Sequence, residues 1–294
     1  MRGTKRVMKA YTHRQTPRMA VYADEHRVPR LTRREFFLAG TVLALCGCAT
    51  APITGRSQLM LVSEAQETAL GAEAYRQMLQ KEPITRDPRD TEPVYRVARR
   101  LEAAANRPDM RWEVSVIEDA KTANAFALPG GKIGVYTGIF PMAQTEAGLA
   151  IIMGHELGHV IARHGAERMS QQLGAELLGS ALALGFQASP YVNTIMAAYG
   201  LGTQVGVLLP YSRLQESEAD RIGLVLAARA GYDAQAAVGV WQRMAKQSGR
   251  RPAPFLSTHP TPESRIEAIK QFLPQAMAQF QPQGDDGDTP LPAV

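Results

Sequence analysis

Cysteine is nearly missing from this chain: Cys46 and Cys48 are the only two in 294 residues. They stand two apart in one hydrophobic stretch, so no disulfide framework holds the fold together. Basic charge is missing from most of the chain, although the pI of 9.3 suggests otherwise. Residues 1–35 carry ten Lys/Arg against Asp24, Glu25 and Glu35, a net of +7 that exceeds the whole chain's +5, so the remainder is about −2. The basic balance belongs to the leader, and a nucleic-acid-binding body is excluded on charge. Long apolar runs are missing too. The run from Phe36 to Gly47 would be about 18 Å long as a helix, short of the roughly 30 Å core of a bilayer. Leu177 to Ser212 holds no charged residue, but Gly179, Gly185, Pro190, Asn193, Gly200, Gly202 and Gly206 interrupt it, which favours buried helices or a lid over a transmembrane pair. No internal repeat occurs.

What is present begins with an export pattern. Thr32-Arg33-Arg34-Glu35-Phe36-Phe37-Leu38 precedes an uncharged run, the form of a twin-arginine signal. Leu45-Cys46-Gly47-Cys48 has the form of a lipobox, making Cys48 the expected acylated first residue of the mature protein. Ala49 agrees with outer-membrane sorting, and Met19 offers a second start upstream of the whole signal. The expected organisation is an export signal of lipoprotein type at 1–47, a lipid-anchored linker at 48–62, a single domain at 63–274, and a disordered Gly-, Asp- and Pro-rich tail at 275–294.

Within the domain, helical signals dominate. Ser63-Glu64-Ala65-Gln66 is a capping box opening a helix to about Lys81, and Thr91 with Pro93 opens another to about Ala105. Trp112 to Ile117 alternates as a strand, and a second strand, Lys132 to Thr137, follows the Pro129-Gly130-Gly131 turn. Leu149, Ile152, Met153, Val160 and Ile161 recur at helical spacing and predict one long helix from about Gln144 to Met169. Ser212 to Gln215 is a second capping box, Asp233 starts a further helix, and Thr261-Pro262 starts the last. The expected class is α+β, mainly α-helical, with a small sheet beside the central helix.

The chemistry concentrates in that helix. His155 and His159 are four apart, about 40° apart on one helical face, and so able to hold one metal ion together. Of six histidines, His13 and His26 fall in the leader, so these two are half of those left to the mature chain. A catalytic zinc takes three protein ligands and leaves a position for water. Glu216, in Glu216-Ser217-Glu218-Ala219-Asp220, is the expected third ligand. Asp220, one turn on, can hydrogen-bond a ligand histidine and hold its tautomer. Glu218 faces away from Glu216 and is the weaker ligand candidate. Zinc lowers the pKa of water toward 7 and polarises a carbonyl, and Glu156, beside the first histidine, is the expected base. His259 precedes the helix begun by Thr261-Pro262, whose positive end favours a neutral imidazole. His164, five past His159, turns to another helix face and reads as structural.

These residues, with Asn124-Ala125-Phe126-Ala127-Leu128-Pro129-Gly130-Gly131 and Ser257-Thr258-His259-Pro260 plus Arg265, resemble metallopeptidase family forty-eight. That family includes HtpX, the CAAX prenyl endopeptidases and BepA-like and LoiP-like periplasmic proteases. The resemblance spans about residues 52 to 274. It implies a zincin-like gluzincin fold with one Zn2+ per chain and Glu216 as third ligand. It also implies an edge strand through Asn124, Ala125 and Phe126 that pairs with extended substrate. Two roles stay open for His259, a regulatory metal ligand or a transition-state stabiliser; Arg265 is expected to fix this segment or to contact substrate. Unlike BepA, the chain ends soon after the last helix, in keeping with a compact lipoprotein type without helical repeats.

The implied activity is zinc-dependent endopeptidase cleavage of misfolded or unassembled envelope proteins, at the periplasmic face of the outer membrane. The expected partners are such substrates, the membrane through the lipid anchor, and outer-membrane assembly machinery, with no nucleic acid. The quality-control role rests on resemblance alone. The alternative is a zinc-binding chaperone or assembly factor with little or no proteolysis.

Overall fold

The computed structural model describes residues 48–51, 54–182, 212–247, 254–259, 263–284 and 287–293, with backbone alone at residues 48, 174–182 and 263. The expected export signal and the lipobox up to Gly47, and nearly all of the uncharged segment before Ser212, lie outside the described residues.

Two short strands, β1 (Cys48–Thr50) and β2 (Ser57–Leu59), form an antiparallel hairpin. Helix α1 (Glu64–Leu79) starts at the expected capping box, in which Ser63 accepts from Gln66 N–H and the Gln66 side chain accepts from Ser63 N–H. Helix α2 (Pro88–Ala105) begins three residues before the expected Thr91. Asp87 caps it by accepting from Arg89 N–H, Pro88 takes the first helical position, and Pro93 lies inside the helix.

The sheet has three strands, β3 (Glu113–Ile117), β4 (Ala125–Leu128) and β5 (Lys132–Tyr136), in the order β3-β5-β4. β3 runs parallel and β4 antiparallel to β5. β4 is therefore an edge strand, and its face is closed by the central helix α4 (Glu146–Ile161). After β5 come a 3-10 turn at Thr137–Ile139 and the short helix α3 (Phe140–Ala143).

Every residue of α4 from Glu146 to Val160 is buried, the condition of a helix at the centre of a core. Its amino terminus is capped twice. Thr145 accepts from Gly148 N–H, while Glu146 and Ala147 donate to the carbonyls of Thr289 and Gly287. Tail composition points to disorder, but residues 287–293 lie against α4 and helix α9 extends to Met277, because the first turn of a buried helix needs acceptors for its N–H groups.

The single helix expected from Gln144 to Met169 is two. Ala162 N–H bonds Gly158 O, Arg163 N–H bonds Val160 O, and Arg163 takes a left-handed φ of 56° before α5 (His164–Leu182) starts. The hairpin packs onto this break, with Gln58 donating to Ala162 O and Leu61 N–H to Ser170 Oγ.

Helix α6 (Arg213–Arg229) follows the predicted capping box at Ser212 and crosses α4 closely. Glycines make that approach possible: a Cβ on Gly158 would lie 2.6 Å from Ala219 O, and one on Gly223 would lie 2.7 Å from His155 N. Helix α7 (Ala236–Gln247), the short α8 (Pro254–Thr258) and α9 (Glu263–Met277) complete the described helices. Among the described residues no helix is long and apolar enough to cross a membrane.

Candidate metal centre

α4 supplies His155, Glu156 and His159; α6 supplies Glu216 and Asp220; the residue after α8 is His259; α9 supplies Arg265. All seven are buried. His155, His159, Glu216 and His259 each offer one donor atom, and the four lie within 4.8 Å of one another. His155 Nε2 is 3.1 Å from His159 Nε2, and Glu216 Oε1 is 3.4 Å from His159 Nε2 and 3.0 Å from His259 Nδ1.

The hydrogen bonds behind the histidines decide which nitrogens face inward. His155 Nδ1 lies 3.0 Å from Asp220 Oδ1, so it carries the proton and leaves a lone pair on Nε2. His159 Nδ1 lies 2.9 Å from His164 Nδ1, and His164 Nε2 lies 2.9 Å from Glu218 Oε2. The carboxylate demands a proton on His164 Nε2; in a neutral ring Nδ1 is then an acceptor, and His159 donates to it from its own Nδ1. With both rings neutral, the inward Nε2 atoms present lone pairs 3.1 Å apart, an arrangement that a cation between them makes favourable. Two imidazoles and a carboxylate suit zinc. The residues present therefore fit one zinc ion, and the cluster is a single candidate zinc site.

The electrostatics agree. Burial, and then the nearby Arg265 cation, push His155 down to about 4 despite Asp220 and Glu216, so its ring is neutral at pH 7. Burial also holds His159 well below its ordinary value. Burial opposes ionisation of Glu216, yet His259 and Arg265 hold it well below the carboxylate range. Burial pushes Glu156 up to about 7, with Glu216 adding to the rise. Glu156 accepts from the backbone of Ala127 in β4, and its Oε1 has no hydrogen-bond partner and faces His259 Nε2 at 3.4 Å.

Arg265 ties the site together. Its Nη1 is 2.7 Å from Glu216 Oε2, its Nη2 and Nε hold both oxygens of Asp220, and its guanidinium stacks 3.6 Å from the Trp241 ring centroid. Sequence reasoning missed Trp241, as it did α8.

His259 differs from expectation. A helix end was expected to keep it neutral; burial does disfavour its charge, but Glu216 and Glu156 outweigh burial and raise its pKa. Carboxylates in contact dominate a helix terminus at a distance. His164 also differs, for on a continuous helix it would turn away, whereas the break at Arg163 brings it back onto His159. Glu218 does face away from Glu216, but into the protein, against His164. Asn124 lies just before β4, with its carbonyl accepting from Tyr136 N–H, while Ala125 and Phe126 are buried in the strand. Cys48 is the first residue of β1.

The fold and this donor set define a zinc metallopeptidase of the zincin type. Peptidase family M48 matches residues 88–273, and the chain belongs to that family. It is 36% identical over 230 residues to the mitochondrial metalloendopeptidase OMA1 of Schizosaccharomyces pombe, covering 76% of this chain and 66% of the relative. It is 33% identical over 245 residues to the OMA1 of Saccharomyces cerevisiae, covering 77% and 69%. It is also 34% identical over 226 residues to the beta-barrel assembly-enhancing protease of Escherichia coli, covering 74% of this chain and 46% of that one. The chain thus spans from under half to about two thirds of the length of these relatives.

Proposed function

We propose that this chain is a zinc-dependent endopeptidase that cleaves misfolded or unassembled proteins of the cell envelope. The observation that carries the reading is the meeting of the His155 and His159 rings and the Glu216 carboxylate beside Glu156, a buried acid with one unpartnered oxygen. His155, His159 and Glu216 are the ligands in this reading. When bound, zinc supplies Lewis acidity and lowers the pKa of water toward neutrality. Glu156, with a pKa of about 7, is placed to take a proton from the attacking water and return it to the leaving amine. Asp220 and Arg265 hold His155 and Glu216 in place. β4 offers an edge for an extended peptide to pair with by main-chain hydrogen bonds, which gives broad sequence tolerance. The bond from Ala127 to Glu156 ties that edge to the base.

His259 lies between Glu216 and Glu156 and offers a donor atom to the same cluster as the other three residues. This favours its reading as a fourth, regulatory ligand over that of a transition-state stabiliser. The envelope assignment draws on the lipobox at Cys48, the export signal and the likeness to beta-barrel assembly-enhancing proteases. In this reading the protein is a lipoprotein on the periplasmic face of the outer membrane, near outer-membrane assembly machinery. The same His259 placement favours one second reading, a client-holding factor with a blocked metal. Glu156→Gln separates the two in cells. A peptidase predicts that this variant accumulates uncut envelope proteins and fails to replace the wild type. Full rescue by the variant, with no change in envelope protein fragments, would show the holding factor instead.

A further inference from the structure

His159 is held from behind by a chain of groups reaching the amino-terminal hairpin. His159 Nδ1 meets His164 Nδ1 at 2.9 Å and His164 Nε2 meets Glu218 Oε2 at 2.9 Å. Thr54 Oγ1 donates to Glu218 Oε1, and Arg56 donates to Oε2 from Nε at 3.1 Å and Nη2 at 3.0 Å. Arg56 also grips both oxygens of Glu167 on α5, at 2.6 and 2.7 Å, and Gln215 on α6 donates to Glu167 Oε2. One guanidinium therefore joins the hairpin, α5 and α6 behind a single imidazole.

We propose that His164 and Glu218 are positioning residues for His159, and that Arg56 locks them, so that the segment following Cys48 sets the metal affinity of the site. The inference rests on the zinc reading above. The geometry supports it: Glu218 Oε2 meets His164 Nε2 and His164 Nδ1 meets His159 Nδ1, a relay that with both rings neutral leaves the Nε2 lone pair of His159 aimed at the centre. Burial fits as well, since His164 is fully buried and Glu218 nearly so. Two buried polar groups without a task would be costly, and here each has one partner on either side. His155 has a shorter arrangement of the same kind, with Asp220 directly behind it and held by Arg265, whereas His159 reaches its arginine-held carboxylate through His164.

The test measures zinc affinity by competition with a chromophoric chelator at fixed pH, and the visible spectrum of the Co2+-loaded chain. His164→Ala should weaken zinc about 10–100-fold, the usual effect of removing such a partner, and shift the Co2+ bands. His164→Asn, whose Oδ1 can stand where Nδ1 stood, should recover most of the loss. Arg56→Gln, altering a residue at the protein edge, should weaken zinc about three- to tenfold and serves if His164→Ala does not fold. Arg96→Gln, which breaks the ion pair to buried Glu146 at the far end of α4, should lower stability without changing affinity or spectrum. His164→Ala or Arg56→Gln within twofold of wild type and with an unchanged Co2+ spectrum would overturn the proposal, as would an equal loss in Arg96→Gln. Failure of the wild type itself to bind zinc would sink the zinc reading instead.

Discussion

Gly158→Ala tests the contact that brings the two halves of the centre together. A Cβ there would lie 2.6 Å from Ala219 O and 2.9 Å from Ala219 Cα, where ordinary contact begins at 3.4 Å, so α6 must retreat by about 0.8 Å. Neither clashing atom belongs to a flexible side chain. Alanine favours the helix by about 1 kcal/mol over glycine, while overpacking costs about 1–3 kcal/mol. The net loss of stability is therefore about 0–2 kcal/mol, and the protein should fold. Glu216 lies three residues before Ala219 and moves with it, whereas zinc sites tolerate about 0.2 Å. Displacement near 1 Å costs on the order of a hundredfold in a reacting site, and zinc affinity should fall on that scale. Chelator competition with a thermal melt alongside separates the effects. Wild-type affinity in a folded Gly158→Ala chain would refute the claim that close helix approach builds the site.

Three further outcomes are expected. Truncation after Gln283 removes the acceptors for Glu146 and Ala147 and the Leu291 N–H bond to Gln144; at about 1 kcal/mol each, a loss of about 2–3 kcal/mol should appear in urea melts. Arg265→Ala leaves Glu216 and Asp220 buried without their cation. The metal-free protein should lose about 3–5 kcal/mol, and added zinc should restore part of the melting temperature. Burial opposes ionisation of Glu218, but bonds from His164, Thr54 and Arg56 bring it from 4.5 down to about 2. The stability this supplies is complete above pH 4.5 and is lost as pH falls toward 2, about 3 kcal/mol in all. Urea titrations between pH 5 and 3 should therefore show a flatter slope in Glu218→Gln than in wild type.

Much of this was legible in the sequence because its signals are local. The capping boxes at Ser63 and Ser212 set helix starts by their own side-chain bonds, and the spacing of His155 and His159 placed two donors on one face. Glu216 and Asp220 were readable from their one-turn separation. The break after Ile161 was not, because its left-handed position is filled by Arg163, with no glycine or asparagine to mark it. The misreading of His164 followed directly. The α2 start was missed for the opposite reason: Pro93 suggested a first turn, but Asp87 and Pro88 made one earlier. His259 depended on carboxylates 43 and 103 positions away, and the grip of Arg56 on Glu218 and Glu167 joins residues more than a hundred apart. Such pairings are set by packing, which no local pattern encodes.

Zinc peptidase chemistry with Glu156 as base is tested on the purified chain and Glu156→Gln side by side. Metal content and cleavage of an unfolded fluorogenic protein are measured on the same samples. One zinc per chain is expected in both, with cleavage in the wild type and at least a hundredfold loss in Glu156→Gln. Equal cleavage by the two proteins, or a wild type that cleaves without zinc, would contradict that chemistry.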